Sequence, residues 1–318
     1  MATSEQLKNL IKAHLEHDDD KFKTIVLQIA AYEARHNHES VARDLKKLID
    51  KKTSKVAFIR PNIQNDMLLM SMPINKLSDL IVSDATLERI KRILNEYRNK
   101  NKLQKYGLSN RRKILIEGNP GTGKTFTASI IASELGLPLY TIQMDKIVTK
   151  FMGETSIKLR QVFDTISVST GVYFFDEFDA IGADRNLDNE VGEARRILNS
   201  FLQFIEQDDS DSIIIAATNN QQLLDQALFR RFDDVLHYSL PSRDEIKKIF
   251  EMQILPFDSS FVVSDQLIDS AERLSQAEII RACEDAIKKS ILNNAHITED
   301  ELIKLLKERI RVYSKKEA

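Results

Sequence analysis

Along the chain the apolar positions change their period twice. Up to about residue 52 they recur at helical spacing: Leu7, Leu10, Ile11 and Leu15, then Phe22, Ile25, Val26, Ile29 and Ala30, then Val41, Leu45, Leu48 and Ile49. Residues three and four apart share one face of a helix, so three short amphipathic helices are expected. Thr3 with Gln6 forms a capping box ahead of the first stripe, and Asp18-Asp19-Asp20 separates the first two. So small a bundle buries little surface and is marginal alone. Residues 1–52 therefore read either as a stabilising appendage or as an adaptor for a partner or substrate.

From residue 53 to 76 the periodicity is lost. Pro61 and Pro73 flank Met67-Leu68-Leu69-Met70-Ser71-Met72, which reads as a linker with adaptable methionine packing. Beyond it, Lys113–Glu117, Pro138–Ile142, Val172–Asp176, Ile213–Thr218 and Val235–Ser239 form short apolar runs separated by helical patterns such as Leu159, Val162, Phe163 and Ile166. That alternation predicts a five-stranded parallel sheet with helices on both faces, an α/β unit over residues 77–240. After Pro241 the strand patterns stop. Ser242 with Glu245, Ser275 with Glu278 and Thr298 with Glu301 are capping boxes that open helical stretches, so residues 241–318 read as a separate helical lid.

Composition mainly excludes. The 318 residues carry 46 Lys plus Arg against 48 Asp plus Glu, a net charge of −2 that gives no global pull toward nucleic acid or an anionic membrane. Arg111-Arg112-Lys113 is a short basic run read as a solvated strand edge, and Lys315-Lys316 as a solvated tail. The single cysteine, Cys283, forms no intrachain disulfide, and a reducing, cytoplasmic setting is expected. The N-terminal sequence has no basic segment followed by an apolar one, and no apolar run nears the roughly 18 residues of a membrane helix. No protease constellation is present: His38-Glu39 lacks the second histidine of HExxH, and GxSxG is missing. The six histidines, His36 and His38 among them, read as surface imidazoles rather than metal ligands.

The strongest chemical signal is Gly118-Asn119-Pro120-Gly121-Thr122-Gly123-Lys124-Thr125, followed by Phe126. It is GxxxxGKT between a predicted strand and a helix carrying Ile130, Ile131 and Leu135, the context a phosphate-binding P-loop requires. Glycines let the backbone approach the phosphates, whose charge the loop N–H groups and helix N-terminus receive. Lys124 then reaches the β and γ oxygens of ATP, and Thr125 can ligate Mg²⁺. The fold class follows as a P-loop αβα sandwich with a helical lid and a small N-terminal bundle. A second strand ends in Val172-Tyr173-Phe174-Phe175-Asp176-Glu177. Adjacent carboxylates after an apolar strand are expensive unless they meet a cation or a reacting water. Asp176 suits Mg²⁺ and Glu177 suits activation of the attacking water.

These elements, with Ile215-Ala216-Ala217-Thr218-Asn219 and the run Leu224 to Asp233, together resemble an AAA-family ATPase over residues 77–318. The resemblance implies Asn219 as sensor 1 and Arg230 and Arg231 as arginine fingers given to a neighbouring subunit, with a homo-hexameric ring as the assembly. The two arginines are adjacent, as in the severing and remodelling subgroup, and either could be the one that touches the γ-phosphate. Ser275-Gln276-Ala277-Glu278 is similar to the family's Ser-Gly-Ala-Asp pattern in the lid, where no sensor-2 arginine stands and Arg273 and Arg281 flank it as structural residues. The adenine pocket is implied at Asp79-Leu80-Ile81, through backbone contacts. Lys150-Phe151-Met152-Gly153 resembles pore loop 1, which grips a protein substrate by sequence-tolerant aromatic contact.

Three functions stay open: a ring-forming protein unfoldase or remodeller, a nucleotide-switched scaffold, and a DNA-directed loader, the last without a Lys/Arg stripe to support it. The short helical front end and overall size are also similar to small bacterial AAA ATPases encoded beside a subtilisin-like serine protease, a group associated with plasmid maintenance and phage defence.

Overall fold

A computed structural model describes residues 25, 26, 29, 30, 32, 33, 41, 66–148, 153–178, 190–219 and 229–314, without the side chains of 190–195 and 312–314. The chain divides into two units, 1–64 and 65–318. In the first, the described residues are all helical, and Ile25, Val26, Ile29 and Ala30 are buried as their stripe predicts, whereas Val41 is exposed. The remaining positions of the expected N-terminal helices lie outside the described residues.

The second unit begins with a correction. Leu68–Ser71, inside the stretch read as a linker, forms strand β1. It pairs antiparallel with β3, Leu68 opposite Ile142 and Ser71 opposite Leu139. The mixed pattern of the segment hid this, because an edge strand needs only one hydrogen-bonded side, and with Leu68 half-buried and Leu69 to Ser71 exposed there is no buried face to impose alternation. Next come α1 (Asp84–Arg98), α2 (Lys100–Gln104), β2 (Lys113–Gly118), α3 (Lys124–Leu135), β3 (Leu139–Ile142) and α4 (Met144–Ile147). They are followed by α5 (Glu154–Val168), β4 (Val172–Phe175), α6 (Glu190–Gln207), β5 (Ile213–Thr218) and β6 (Asp234–Tyr238). The sheet order is β1-β3-β4-β5-β2-β6, and the five expected strands run parallel.

Alternation along the strands builds two cores. Ile114, Ile116, Phe174, Ile213, Ile215 and Ala217 pack with Ile90, Ile93 and Leu94 of α1 and Ile130 and Ile131 of α3. On the opposite face Phe175 meets Phe163 of α5 and Phe201 of α6, with ring centroids 6.0 and 5.1 Å apart. Near-continuous apolar strands are what a sheet covered on both faces demands. Parallel strands also bring their carboxyl ends to one edge, which places the turns after β2, β4 and β5 together.

The lid comprises α7 (Arg243–Ile254), α8 (Asp265–Asp269), α9 (Gln276–Asn293) and α10 (Glu299–Ser314), packed around Ile246, Ile249, Phe250, Leu267, Ile279, Cys283 and Leu302. The Ser242 capping box forms as expected, but Ser275 makes no side-chain cap bond to α9. Its hydroxyl lies instead against Gly121, and Glu278 is bound by Arg281 and Arg309 at 3.1 and 2.8 Å. Local capping lost to these tertiary contacts. None of the helices among the described residues is long and apolar enough to cross a membrane.

Candidate active site

The loop from Gly118 to Gly123 leaves β2 and turns into α3, whose first residue is Lys124. Gly118 has φ +152°, and a Cβ there would stand 2.2 Å from the Tyr238 carbonyl oxygen, so only glycine lets β2 leave the sheet this close to β6. Gly121 has φ +77°, with Ser275 and Ala277 of the lid against it. Beneath the loop, Thr127 of α3 and Tyr238 at the end of β6 share a buried hydroxyl–hydroxyl hydrogen bond. Burial pushes the Tyr238 phenol up to about 12, so it stays protonated at neutral pH.

Lys124 is buried, and its ammonium donates to the carbonyls of Gly118 and Asn119 at 2.7 and 2.9 Å and to Asn219 Oδ1 at 2.7 Å. The tips of β2 and β5 are thereby joined through one cation. Thr125 Oγ1 donates to Asp176 Oδ2 at 2.9 Å, which brings an alcohol and a carboxylate oxygen together. Asp176 Oδ1 accepts the Glu177 backbone N–H at 2.9 Å. Glu177 is exposed with φ +51°, a left-handed conformation uncommon for a residue with a Cβ.

Lys124, Thr125, Asp176, Glu177 and Asn219 share a cavity of about 440 Å³ with Pro120, Gly121, Gly123, Phe126, Gln276, Ala277 and Ile280. Asn119 and Thr122 belong to the same loop, Thr122 buried and bonded through its hydroxyl to the Asn119 carbonyl at 2.8 Å. Oxygen donors such as Thr125 and Asp176, 2.9 Å apart, match the hard-ligand preference of Mg²⁺, so the residues present fit a magnesium nucleotide. No group of His, Cys, Asp and Glu among the described residues forms a self-contained metal cage.

Ile81 does not line this cavity. Its carbonyl accepts Gln276 Nε2 at 2.8 Å, and it borders a neighbouring cavity of about 410 Å³. Arg231 is held by Glu206 at the end of α6, Nε to Oε1 at 2.6 Å, whereas Arg230 is exposed and makes no ion pair among the described residues. Arg281 bonds Glu278, as a structural residue would. Of the expected pore loop, Gly153 N-caps α5, and Lys150, Phe151 and Met152 lie outside the described residues. Sequence reasoning missed Tyr238 and Gln276 at this edge, and Glu206 at the opposite one, where the adjoining Ile205 carbonyl meets Lys113 at the start of β2; Gln276, standing where the resembled lid pattern has glycine, was the one visible signal.

A parallel sheet with a GxxxxGKT turn leading from β2 into a helix and acids at the tip of β4 defines a P-loop nucleotide hydrolase fold. The sequence profile of the ATPase family associated with various cellular activities (AAA) matches residues 114–240. Over 303 residues the chain is 33% identical to the uncharacterized AAA family ATPase y4kL of Sinorhizobium fredii, covering 92% of this chain and 90% of that one. A putative 26S proteasome regulatory subunit homolog of Methanothermobacter marburgensis is 32% identical over 62% of this chain, which spans 55% of that protein. The crystal structure of the FIGL-1 AAA domain superposes with a TM-score of 0.60 at 19% identity, over 80% of this chain and 88% of that domain, a likeness of fold. The chain belongs to the AAA ATPase family.

Proposed function

We propose that this protein is an ATP-driven protein remodeller working as a ring of identical subunits, most simply a hexamer. The observation that carries the reading is the convergence of Lys124, Asn219, Thr125, Asp176 and Glu177 on one cavity at the carboxyl edge of the sheet. In this reading the P-loop from Gly118 to Thr125, with Phe126, receives the phosphates. Lys124 moves its donated bonds from the loop carbonyls to phosphate oxygens, a charge-assisted exchange. Thr125 and Asp176 hold Mg²⁺, which when bound neutralises phosphate charge. Glu177 orients the attacking water and accepts its proton, and Asn219 fixes that water relative to the γ-phosphate.

Arg230 is the arginine assigned to the neighbouring subunit's phosphates, because Arg231 is tethered to Glu206. Catalysis then depends on assembly. The loop Lys150-Phe151-Met152-Gly153 is assigned to grip a protein substrate in the pore. A separate serine protease is the proposed working partner, with plasmid maintenance or phage defence as the setting and the cytoplasm as the site. Support for that role is the sequence resemblance and the relative named as a proteasome regulatory subunit homolog; a nucleic-acid role has no Lys/Arg stripe in the sequence to favour it. Mixing Arg230→Ala subunits with Lys124→Ala subunits tests the ring mechanism. Partial recovery of ATPase activity is expected, and no recovery at any ratio overturns fingers in trans. Glu177→Gln should bind ATP and hydrolyse it about 10²-fold more slowly or worse; turnover at the wild-type rate would remove Glu177 from its role. Capture on that variant should bring down unfolded protein or a peptidase.

A further inference from the structure

One hydrogen bond links residues of two cavities. Gln276, the first residue of α9, lines the P-loop cavity, while Ile81 lines the neighbouring one, whose other wall includes Lys248 and Met252 of α7. The Gln276 Nε2 to Ile81 carbonyl bond, 2.8 Å long and part-buried, joins these two walls. At its other end the carboxamide lies over the P-loop: Oε1 is 3.2 Å from where a Cβ on Gly123 would be. The backbone supporting it is pinned, since the Ala277 N–H donates to the Gly121 carbonyl at 3.0 Å. The side chain therefore bridges the P-loop and the Ile81 segment.

A backbone carbonyl only accepts, so Gln276 must present its NH₂ to Ile81. An NH₂ group on a planar, conjugated carbon is also what the amino edge of adenine offers. We propose that Gln276 is a gating residue whose carboxamide occupies the Ile81 carbonyl in place of a base amino group and partitions the two cavities. A nucleotide fills both only when that bond opens; a ligand made of phosphate alone does not need it to open. The proposal rests on the nucleotide site proposed above. A hydrogen bond between neutral groups is of modest net strength, so a base can replace it and the amide can re-form it on release. Such a gate lowers apparent nucleotide affinity by the fraction of time it stands open.

The test compares ADP with inorganic pyrophosphate, titrated calorimetrically against the full chain carrying Gln276→Ala or Gln276→Met. Methionine keeps the length and removes the donor, which guards against a packing defect in the alanine variant; circular dichroism checks the fold of both. Expected is ADP binding about three- to tenfold tighter in both variants, with pyrophosphate within about twofold of wild type. Unchanged or weaker ADP binding, or an equal shift for both ligands, overturns the gate. Lys124→Ala separates the two failures. If it abolishes both ligands while Gln276→Ala changes neither, the gate alone fails; if it leaves both bound, the nucleotide site itself is wrong and the gate falls with it.

Discussion

In the sheet core, the groups facing the nucleotide cavity stand at strand tips: Lys124 follows β2, Asp176 and Glu177 follow β4, and Asn219 follows β5. The lid reaches the same cavity with Gln276, Ala277 and Ile280 from a single helix, whose side chains hang on a separate hydrophobic cluster. Core groups owe their positions to parallel strands that share an edge. Lid groups owe theirs to how one packed body rests on another, through contacts such as Ala277 N–H to Gly121, Gln276 to Ile81, and Ile81 against the lid cluster. Chemistry built the first way is stiff, and access governed the second way is adjustable.

The largest effect that would sharpen this contrast is Phe250→Ala, which removes a fully buried ring from the lid cluster. We expect a loss of about 3–5 kcal/mol, confined to the lid: hydrogen exchange should speed in α7 and α9 while β2, β4 and β5 stay protected. Uniform loss of protection would show that core and lid unfold as one body and would break the comparison. Next is Lys124→Ala, expected to weaken ADP about 100-fold with the melting temperature little changed, measured by calorimetry and thermal unfolding.

A pH experiment reads the lid alone. Burial pushes the Cys283 thiol up to about 12, whereas in the unfolded chain it ionises near about 8.5. Because the folded value is raised, this group's contribution is fully present below the unfolded value and is lost as pH rises toward the folded one. Between pH 8 and pH 10 the wild type should lose up to about 2 kcal/mol more stability than Cys283→Ala, followed by denaturant titration. Equal pH slopes would exclude Cys283 as the cause. The smallest effect is Tyr238→Phe, which removes the hydrogen bond to Thr127 beneath the P-loop. It should cost about 1 kcal/mol, a fall in melting temperature of about 2–4 °C.

Most of the core was legible because its signals are local. The run Ile213–Thr218 became β5 with the same bounds, and Val172–Asp176 became β4 one residue shorter. Gly118 to Thr125 lies in the strand, turn and helix that its spacing requires. Other features depend on partners distant in the chain. Leu68–Ser71 carries no strand period of its own and becomes β1 because β3 offers it an edge. Ser275 has a capping sequence, yet its side chain lies against Gly121 of the P-loop. Adjacent identical residues such as Arg230 and Arg231 look alike in sequence; the ion pair of Arg231 with Glu206, at the far end of α6, is a difference only the folded chain shows.

The chemistry was legible in the amino-acid order: a loop, a lysine, two acids and an asparagine stand at the ends of short apolar runs, and strand ends in a parallel sheet share an edge. Membership of the AAA family is written in the same residues. Folding in three dimensions set which groups those residues face: that Lys124 meets Asn219, that Arg231 pairs with Glu206, and that Gln276 donates to the Ile81 carbonyl. The physical reason is range. Backbone periodicity and turn geometry act over a few residues, whereas a hydrogen bond between positions 81 and 276 exists only once two hydrophobic cores have formed and docked.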